Sequence, residues 1–424
     1  MSAASTIFLP PDSGYNSSPG STSEADVSVP WAAGGTIKSI YVVLSAAPGV
    51  GKSYRFQISV AGAASTQVDV TISGNSTSGN GSGTGAAVVA GNTLTYKVTP
   101  SGTPTVVDAT VWIEWEPTTA NQYVYSAGLL NNHGDTNAFC PLFAGYNYRA
   151  AAPSTDTVLG RSLSPIAGTI SALYAKCATA PGAGNTRGFV VMRNSAEEAT
   201  SEFTIGEAAT TGNATGLSIA VAVGDTVGFK HKATATGPDF SYGIGFSVCF
   251  TPTIAGAFCI GSNNGTTGES AAAARYAYLG YNAAAFDWDA TEANAQVIVA
   301  VPMSVKGFAT EITTAPGASK SHTQQARKNG ANGGVSLVFN DAVTLKAQAT
   351  GVAFNLTGGD LLSLSNTPAS TPALSGISNY AIWFGIVTNP AGKVPPGRNK
   401  PPGGGGKGGG PTRWAFKALR RRYR

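Results

Sequence analysis

AAPGVGKSYRFQISV, residues 46–60, is the stretch whose reading decides the fold. Ala46, Gly51, Lys52 and Ser53 fit a loosened phosphate-loop pattern in which alanine replaces the first glycine. Such a loop needs a strand before it and a helix after it, because the helix N-terminus and the loop N–H groups cradle the phosphates. Here Tyr54-Arg55-Phe56-Gln57-Ile58-Ser59-Val60 follows, and its apolar and polar residues alternate with the period of a half-buried strand. The context is strand–turn–strand, which speaks against nucleotide binding.

The same stretch recurs. GTIKSIYVVLSAAPG begins at Gly35, GTISALYAKCATAPG at Gly168, and a looser copy, MSVKGFATEITTAPG, at Met303. The proline comes 13 residues after the start in each. The second copy has Asn185 in place of the lysine, and the third keeps Lys320 behind Ser319. What persists is Pro48-Gly49, Pro181-Gly182 and Pro316-Gly317, a type II signal with proline at i+1 and glycine at i+2, read here as a hairpin turn.

Two further markers keep the same order. Gly91-Asn92, Gly224-Asp225 and Gly359-Asp360 each stand 43 residues after the repeat proline and lead into an alternating strand. Closing strands end at Pro117, Pro252 and Pro390. Three markers in one order, at two spacings held without a gap, indicate triplication, with units at 1–119, 120–254 and 255–390. The later two begin alike, with Ala138-Phe139-Cys140 and Ala257-Phe258-Cys259. Each unit has room for about eight strands with short turns. The expected fold is all-β: three tandem antiparallel jelly-roll-like β-sandwiches, a Gly/Pro-rich linker over 391–411 and a short basic segment over 412–424. Tyr41, Val43, Phe56, Ile58 and Val60 are expected to face inward. Trp112 and Trp115 lie an odd number apart, so one belongs to the core and the other to a surface or interface.

Composition agrees: 54 of the 424 residues are glycine, 24 are proline and only 12% are charged, which favours many short strands over helices. SGNSTSGNGSGTG, residues 73–85, reads as a flexible surface loop, and Ala271–Ala274 as a short helix. No basic region followed by an apolar run marks a signal peptide, and no stretch has the length of a membrane span.

Chemistry-bearing residues are sparse. Cys140, Cys177, Cys249 and Cys259 form no CxxC pair, and His133, His231 and His322 are scattered. The cysteines read as small apolar residues, with one or two disulfides as the alternative. His231, between Lys230 and Lys232, reads as a surface strand residue. Asp287, Asp289 and Glu292 lack the mid-loop glycine of an EF-hand and read as a solvated loop. Glu197, Glu198 and Glu202 read as a charged sheet edge. No acid and base pair can be placed, so no enzyme, cofactor or metal is expected.

The C-terminal segment differs from everything before it. Residues 391–424 carry ten Lys/Arg and no Asp/Glu, net +10, which leaves the rest of the chain at net −5. Arg413, Trp414, Phe416, Lys417, Leu419, Arg420, Arg421, Arg422, Tyr423 and Arg424 are the candidate docking residues. On a helix Phe416, Leu419 and Tyr423 would share one side. Docking onto an acidic or apolar partner surface is the favoured reading, because a purely electrostatic arm does not require aromatics. Phosphate neutralisation on nucleic acid is the second reading, and a solvated or membrane-surface tail the third.

The run APGVGKSYRFQISV, with the later Gly-Asn turn and TYKVTPSGTP, resembles jelly-roll domains of phage structural proteins, similar to the tumour-necrosis-factor-like heads of trimeric surface fibres. The resemblance implies a non-enzymatic component on the exterior of a virion: a head decoration or fibre, or a neck or tail accessory protein. Its partners would be capsid, neck or tail proteins, or further copies in a trimer. Fusing three copies allows either a pseudo-threefold head within one chain or a linear string of modules. Two alternatives stand beside it. One is a receptor- or glycan-binding adhesin using Tyr146, Tyr148, Tyr276, Tyr278 and Trp288. The other is a capsid shell protein with a genome-facing basic tail.

Overall fold

The structure is a computed structural model that describes residues 2–11, 21–129, 137–143, 160–233, 244–264, 269–277, 279, 282–283, 288–299, 302–342, 345–375, 378–386 and 414–417. The first unit contains β1 (Ile7–Leu9), β2 (Val29–Pro30), β3 (Gly35–Leu44), β4 (Gly49–Val60), β5 (Ala63–Gly74), β6 (Ser78–Val88), β7 (Thr93–Ser101) and β8 (Ala109–Pro117). The second contains β9 (Tyr123–Leu129), β10 (Ala138–Pro141), β11 (Ser162–Leu163), β12 (Gly168–Cys177), β13 (Arg187–Arg193), β14 (Ala196–Glu197), β15 (Phe203–Ile205), β16 (Thr211–Val221), β17 (Thr226–Ala233) and β18 (Ile244–Pro252). The third contains β19 (Ala257–Asn264), β20 (Arg275–Ala277), β21 (Asn282–Ala283), β22 (Val297–Ile298), β23 (Met303–Ile312), β24 (Gly317–Lys328), β25 (Ala331–Asp341), β26 (Lys346–Leu356), β27 (Leu361–Ala369) and β28 (Ser378–Ile386), and β29 (Trp414–Lys417) follows.

Each unit is a sandwich of two sheets. The outer sheets run β1-β7-β4-β5, β10-β17-β13-β14 and β20-β27-β24-β25, and the inner sheets contain β8-β3-β6, β9-β18-β12-β16 and β19-β28-β23-β26. Most connections cross between the two sheets, as in a jelly roll, while β4–β5 and β24–β25 are hairpins within the outer sheets. Pro48-Gly49 therefore joins β3 to β4 across two sheets. It is a corner, and the hairpin reading is corrected: alternation identifies two strands but not whether they pair. Gly49, Gly182 and Gly317 do adopt the positive φ that the turn demands, at 103°, 87° and 100°. The strand after the phosphate-loop-like residues is present as β4.

Equivalent details recur in all three units. A β-bulge interrupts the inner sheet between Ile37 and Ser39, between Ile170 and Ala172, and between Val305 and Gly307. At the Gly-Asn/Asp turns the N–H of Asn92, Asp225 and Asp360 donates to the carbonyl of Val89, Ala222 and Thr357. Their side-chain oxygens accept from the N–H of the same three residues, at 2.8, 2.8 and 2.6 Å. The third closing strand is offset from its sequence marker. Pro117 and Pro252 lie opposite Gly35 and Gly168, and the residue opposite Met303 is Ile386; Pro390 lies outside the described residues. The Ala-Phe-Cys triplets are also not equivalent, since β10 belongs to an outer sheet and β19 to an inner one.

The central strands of the inner sheets are covered on both faces, whereas the edge strands β6 and β16 leave one face exposed. Ile40, Val42 and Leu44 of β3 pack with Phe56 and Ile58 of β4, and Val60 rests on them. Tyr41 points the other way, against the core of the third unit, and Val43 is buried outside the first unit's core. The expected inward placement of Tyr41 and Val43 is therefore corrected. Trp115 meets Trp31 edge-on in the first core, with ring centroids 5.5 Å apart, whereas Trp112 lies in the third.

These outward contacts follow a cycle. Val124, Ala172 and Cys249 of the second unit enter the first unit's core; Ala257, Cys259 and Ala381 of the third enter the second's; Trp112 of the first enters the third's. Pro30, Leu163 and Ile298 are equivalent, paired with Thr93, Thr226 and Leu361 two residues past the repeat glycines. Ser247 Oγ donates to the Pro30 carbonyl at 2.6 Å, and Trp112 Nε1 to the Ile298 carbonyl at 3.1 Å. Ser247 and Trp112 are themselves equivalent, each five residues before the end of its closing strand. The contact is head-to-tail and closes after three steps, which makes a pseudo-threefold ring within one chain.

Three more expectations change. Residues 78–85 of the low-complexity stretch lie in β6, paired with β3. The glycines allow β5 to approach: a Cβ on Gly81 would lie 1.7 Å from the Asp69 carbonyl oxygen. Ala271–Ala274 is not helical. His231 is buried, its ring 5.4 Å from that of Phe189, because its neighbours Lys230 and Lys232 take the outward positions.

Candidate functional site: the open edge of the first unit

The inner sheets of the second and third units each begin with a strand on the outer side of the closing strand. β9 pairs with β18, and β19 pairs with β28. Among the described residues no such strand of the first unit precedes β8. β29 fills that edge, antiparallel, with Trp414 opposite Glu114, Ala415 opposite Ile113, Phe416 opposite Trp112 and Lys417 opposite Val111. The register is the equivalent one. Trp414 takes the place held by Val124 opposite Cys249 and by Cys259 opposite Trp383, and Ala415 that of Tyr125 and Ile260.

The acceptor is a rigid, buried strand. Val111, Trp112 and Ile113 are almost fully buried, and Ser39 Oγ donates to Glu114 Oε2 at 2.8 Å. Burial raises the Glu114 carboxyl above its ordinary range, opposed by the Ser39 hydrogen bond. A β-edge of this kind offers backbone N–H and C=O groups to an added strand, which supplies affinity through the main chain.

Of the docking residues expected from sequence, Trp414, Phe416 and Lys417 are brought to this edge, in a strand. Spacing of i, i+3 and i+7 marks a helical side only if the segment is helical. Arg413, Leu419, Arg420, Arg421, Arg422, Tyr423 and Arg424 lie outside the described residues. Sequence reasoning missed the acceptor residues Val111 to Glu114. The available signal was the parity of Trp112 and Trp115.

The other candidates have structural partners. Glu292 accepts from Arg327 at 2.8 and 2.9 Å and from Ser363, and Asp289 accepts from the Thr291 N–H and Asn294; Asp287 lies outside the described residues. Trp288 is buried, edge-on to Tyr380, and is not available to a glycan. Arg327 sits over the Tyr276 ring, while Tyr146, Tyr148 and Tyr278 are outside the described residues. Glu197 and Glu202 pair with Lys232, Glu197 also with Lys230, and Glu198 with Arg193, along the β14 edge. All four cysteines are free and buried, and burial pushes the Cys177 thiol up to about 12. Among the described residues no group of three or more His, Cys, Asp or Glu is placed to hold a metal, and no helix is long and apolar enough to cross a membrane.

The fold and this edge define a class: an all-β protein of three sandwiches closed in a ring, with one edge completed from the far end of the chain. No protein-family model matches the chain, and no curated protein matches it in sequence.

Proposed function

We propose that the chain is a non-enzymatic structural protein of a phage particle, a three-unit head displayed on the exterior and attached through its C-terminal segment. The observation that carries this reading is the pseudo-threefold ring itself, the arrangement expected of a trimeric surface head whose three copies are fused. The ring gives a stiff display platform in which the central strands of the inner sheets are covered on both faces. The charge contrast, net −5 for residues 1–390 against net +10 for 391–424, supports attachment through the tail. Capsid, neck or tail proteins are the partners this reading names.

The test immobilises residues 391–424 on an inert carrier and exposes them to lysate of the source material. Recovery of particle proteins is the expected result. Recovery of nucleic acid alone, released by moderate salt, would move the tail to the inside of a shell.

A further inference from the structure

We infer that the edge of β8 is a strand-acceptor site for the C-terminal segment of a second copy of this chain, so that copies are linked by exchange of residues 414–417. The inference stands on strand register and chain length and does not depend on the particle reading.

The register argument comes first. β9, β19 and β29 each follow a closing strand, and each adds to the inner sheet of the next unit around the ring. The step from a closing strand to the next unit's open edge is the same by the pseudo-threefold relation. The first step, from Pro117 to Tyr123, takes five connecting residues, and the second, from Pro252 to Ala257, takes four. The third, from Ile386 to Trp414, takes 27. A connection that only had to close its own ring would need the length of the other two. Twenty-seven residues span up to about 90 Å when extended, at about 3.3–3.6 Å each, enough to reach a neighbouring ring.

Charge favours the same occupant. A tail of net +10 meets a body of net −5 on any other copy. Exchange of an identical element between protomers adds no new interface, because the donated strand makes in the neighbour the ladder it makes at home. Home binding competes at an effective concentration in the millimolar range set by the connecting segment. Exchange therefore takes over as copies are crowded together.

The experiment is sedimentation of the purified full-length chain from low micromolar to beyond about 1 mM, near the effective concentration of the tethered strand. Dimers or longer chains are expected to grow with concentration. Two variants identify the cause. Ala415→Pro with Phe416→Pro removes ladder bonds from the donated strand and leaves the body untouched, and is expected to abolish assembly. Deleting residues 390–411 leaves five connecting residues, as before β9, and is expected to give a monomer whose β8 amides stay protected from exchange. A chain ending at residue 390 is expected to bind the full-length chain but not another copy of itself. A full-length chain that stays monomeric throughout overturns the inference. So does an oligomer that the double proline leaves intact or that the shortened chain forms equally well.

Discussion

The first and second units share one strand register, yet they are completed differently. The second receives β9 across five connecting residues after β8, whereas the first receives β29 from the far end of the chain. Their seams differ too. At equivalent positions Trp112 reaches from the first unit into the third, and Ser247 from the second onto the first. Ser28 opposes Lys176 at the first seam, at 2.5 Å; Arg161 opposes Glu311 at the second, at 2.7 and 3.1 Å. At the third seam the counterparts are Gln296 and Val43, neither of which carries a charge. A ring of separate identical copies must use one residue at all three seams. A fused chain can specialise each seam, and this chain has done so.

The comparison predicts unequal seams, and the largest effect is expected at Trp112. Trp112→Ala removes a buried indole from the third unit's core and should cost about 3–5 kcal/mol. Ser247→Ala, at the same register position, should cost about 1–3 kcal/mol through the Pro30 carbonyl it leaves unpartnered. Chemical denaturation of both variants checks the ranking, and equal losses would remove the asymmetry. Next comes Arg161→Ala. It strips the bidentate partner from Glu311, which is 3% exposed, leaving Lys346 at 3.6 Å as its remaining cation. A loss of about 3 kcal/mol is expected, whereas Lys176→Ala, with only neutral oxygens as hydrogen-bond partners across its seam, should lose less.

Gly81→Ala tests the units' cores. The equivalent residues in β16 and β26 are Ala214 and Ala349, opposite Leu173 and Phe308 as Gly81 is opposite Ile40. Alignment alone therefore rates the change as harmless. The Asp69 carbonyl in the way makes it cost about 1–3 kcal/mol, read as a fall in melting temperature.

The smallest effect concerns acid. Burial pushes the Asp360 carboxyl up, but hydrogen bonds from Lys328, the Thr357 N–H and Asn329 outweigh it and hold it at about 2. A depressed acid contributes stability that is present above its unfolded value near 3.8 and is lost as pH falls through about 2. Asp360→Asn, the residue type the first unit carries at Asn92, should flatten the melting-temperature profile between about pH 4 and 2. An unchanged slope would reject the assignment.

Much of the sandwich was legible because local chemistry dictates it. Gly91, Gly224 and Gly359 all need positive φ, and an Asn or Asp one residue later closes the turn, so the signal sits within four residues. Parity likewise placed Trp112 and Trp115 on opposite faces. Parity does not say what covers the second face, so Tyr41 was assigned to the wrong core. Gly79, Gly81 and Gly83 were read as loop composition, although their period of two is that of a strand lying against a neighbouring backbone. The candidate site was legible only as a tail with aromatics. Its acceptor edge is the β8 edge that β29 occupies, and its register rests on a contact across some 300 residues, which no local pattern carries.

The late arrival of β29 has a consequence for synthesis. At about 5–20 residues per second, residue 417 leaves the ribosome roughly 15–60 s after residue 117. Over that interval the unit made first is the last to be finished, and the edge of β8 and the face of Trp112 wait uncovered. Chains stalled before residue 391 are expected to be cut by protease near β8, and chains carried past residue 417 to resist. The order of completion runs against the order of translation, and the N-terminal unit is sealed only by the final residues described.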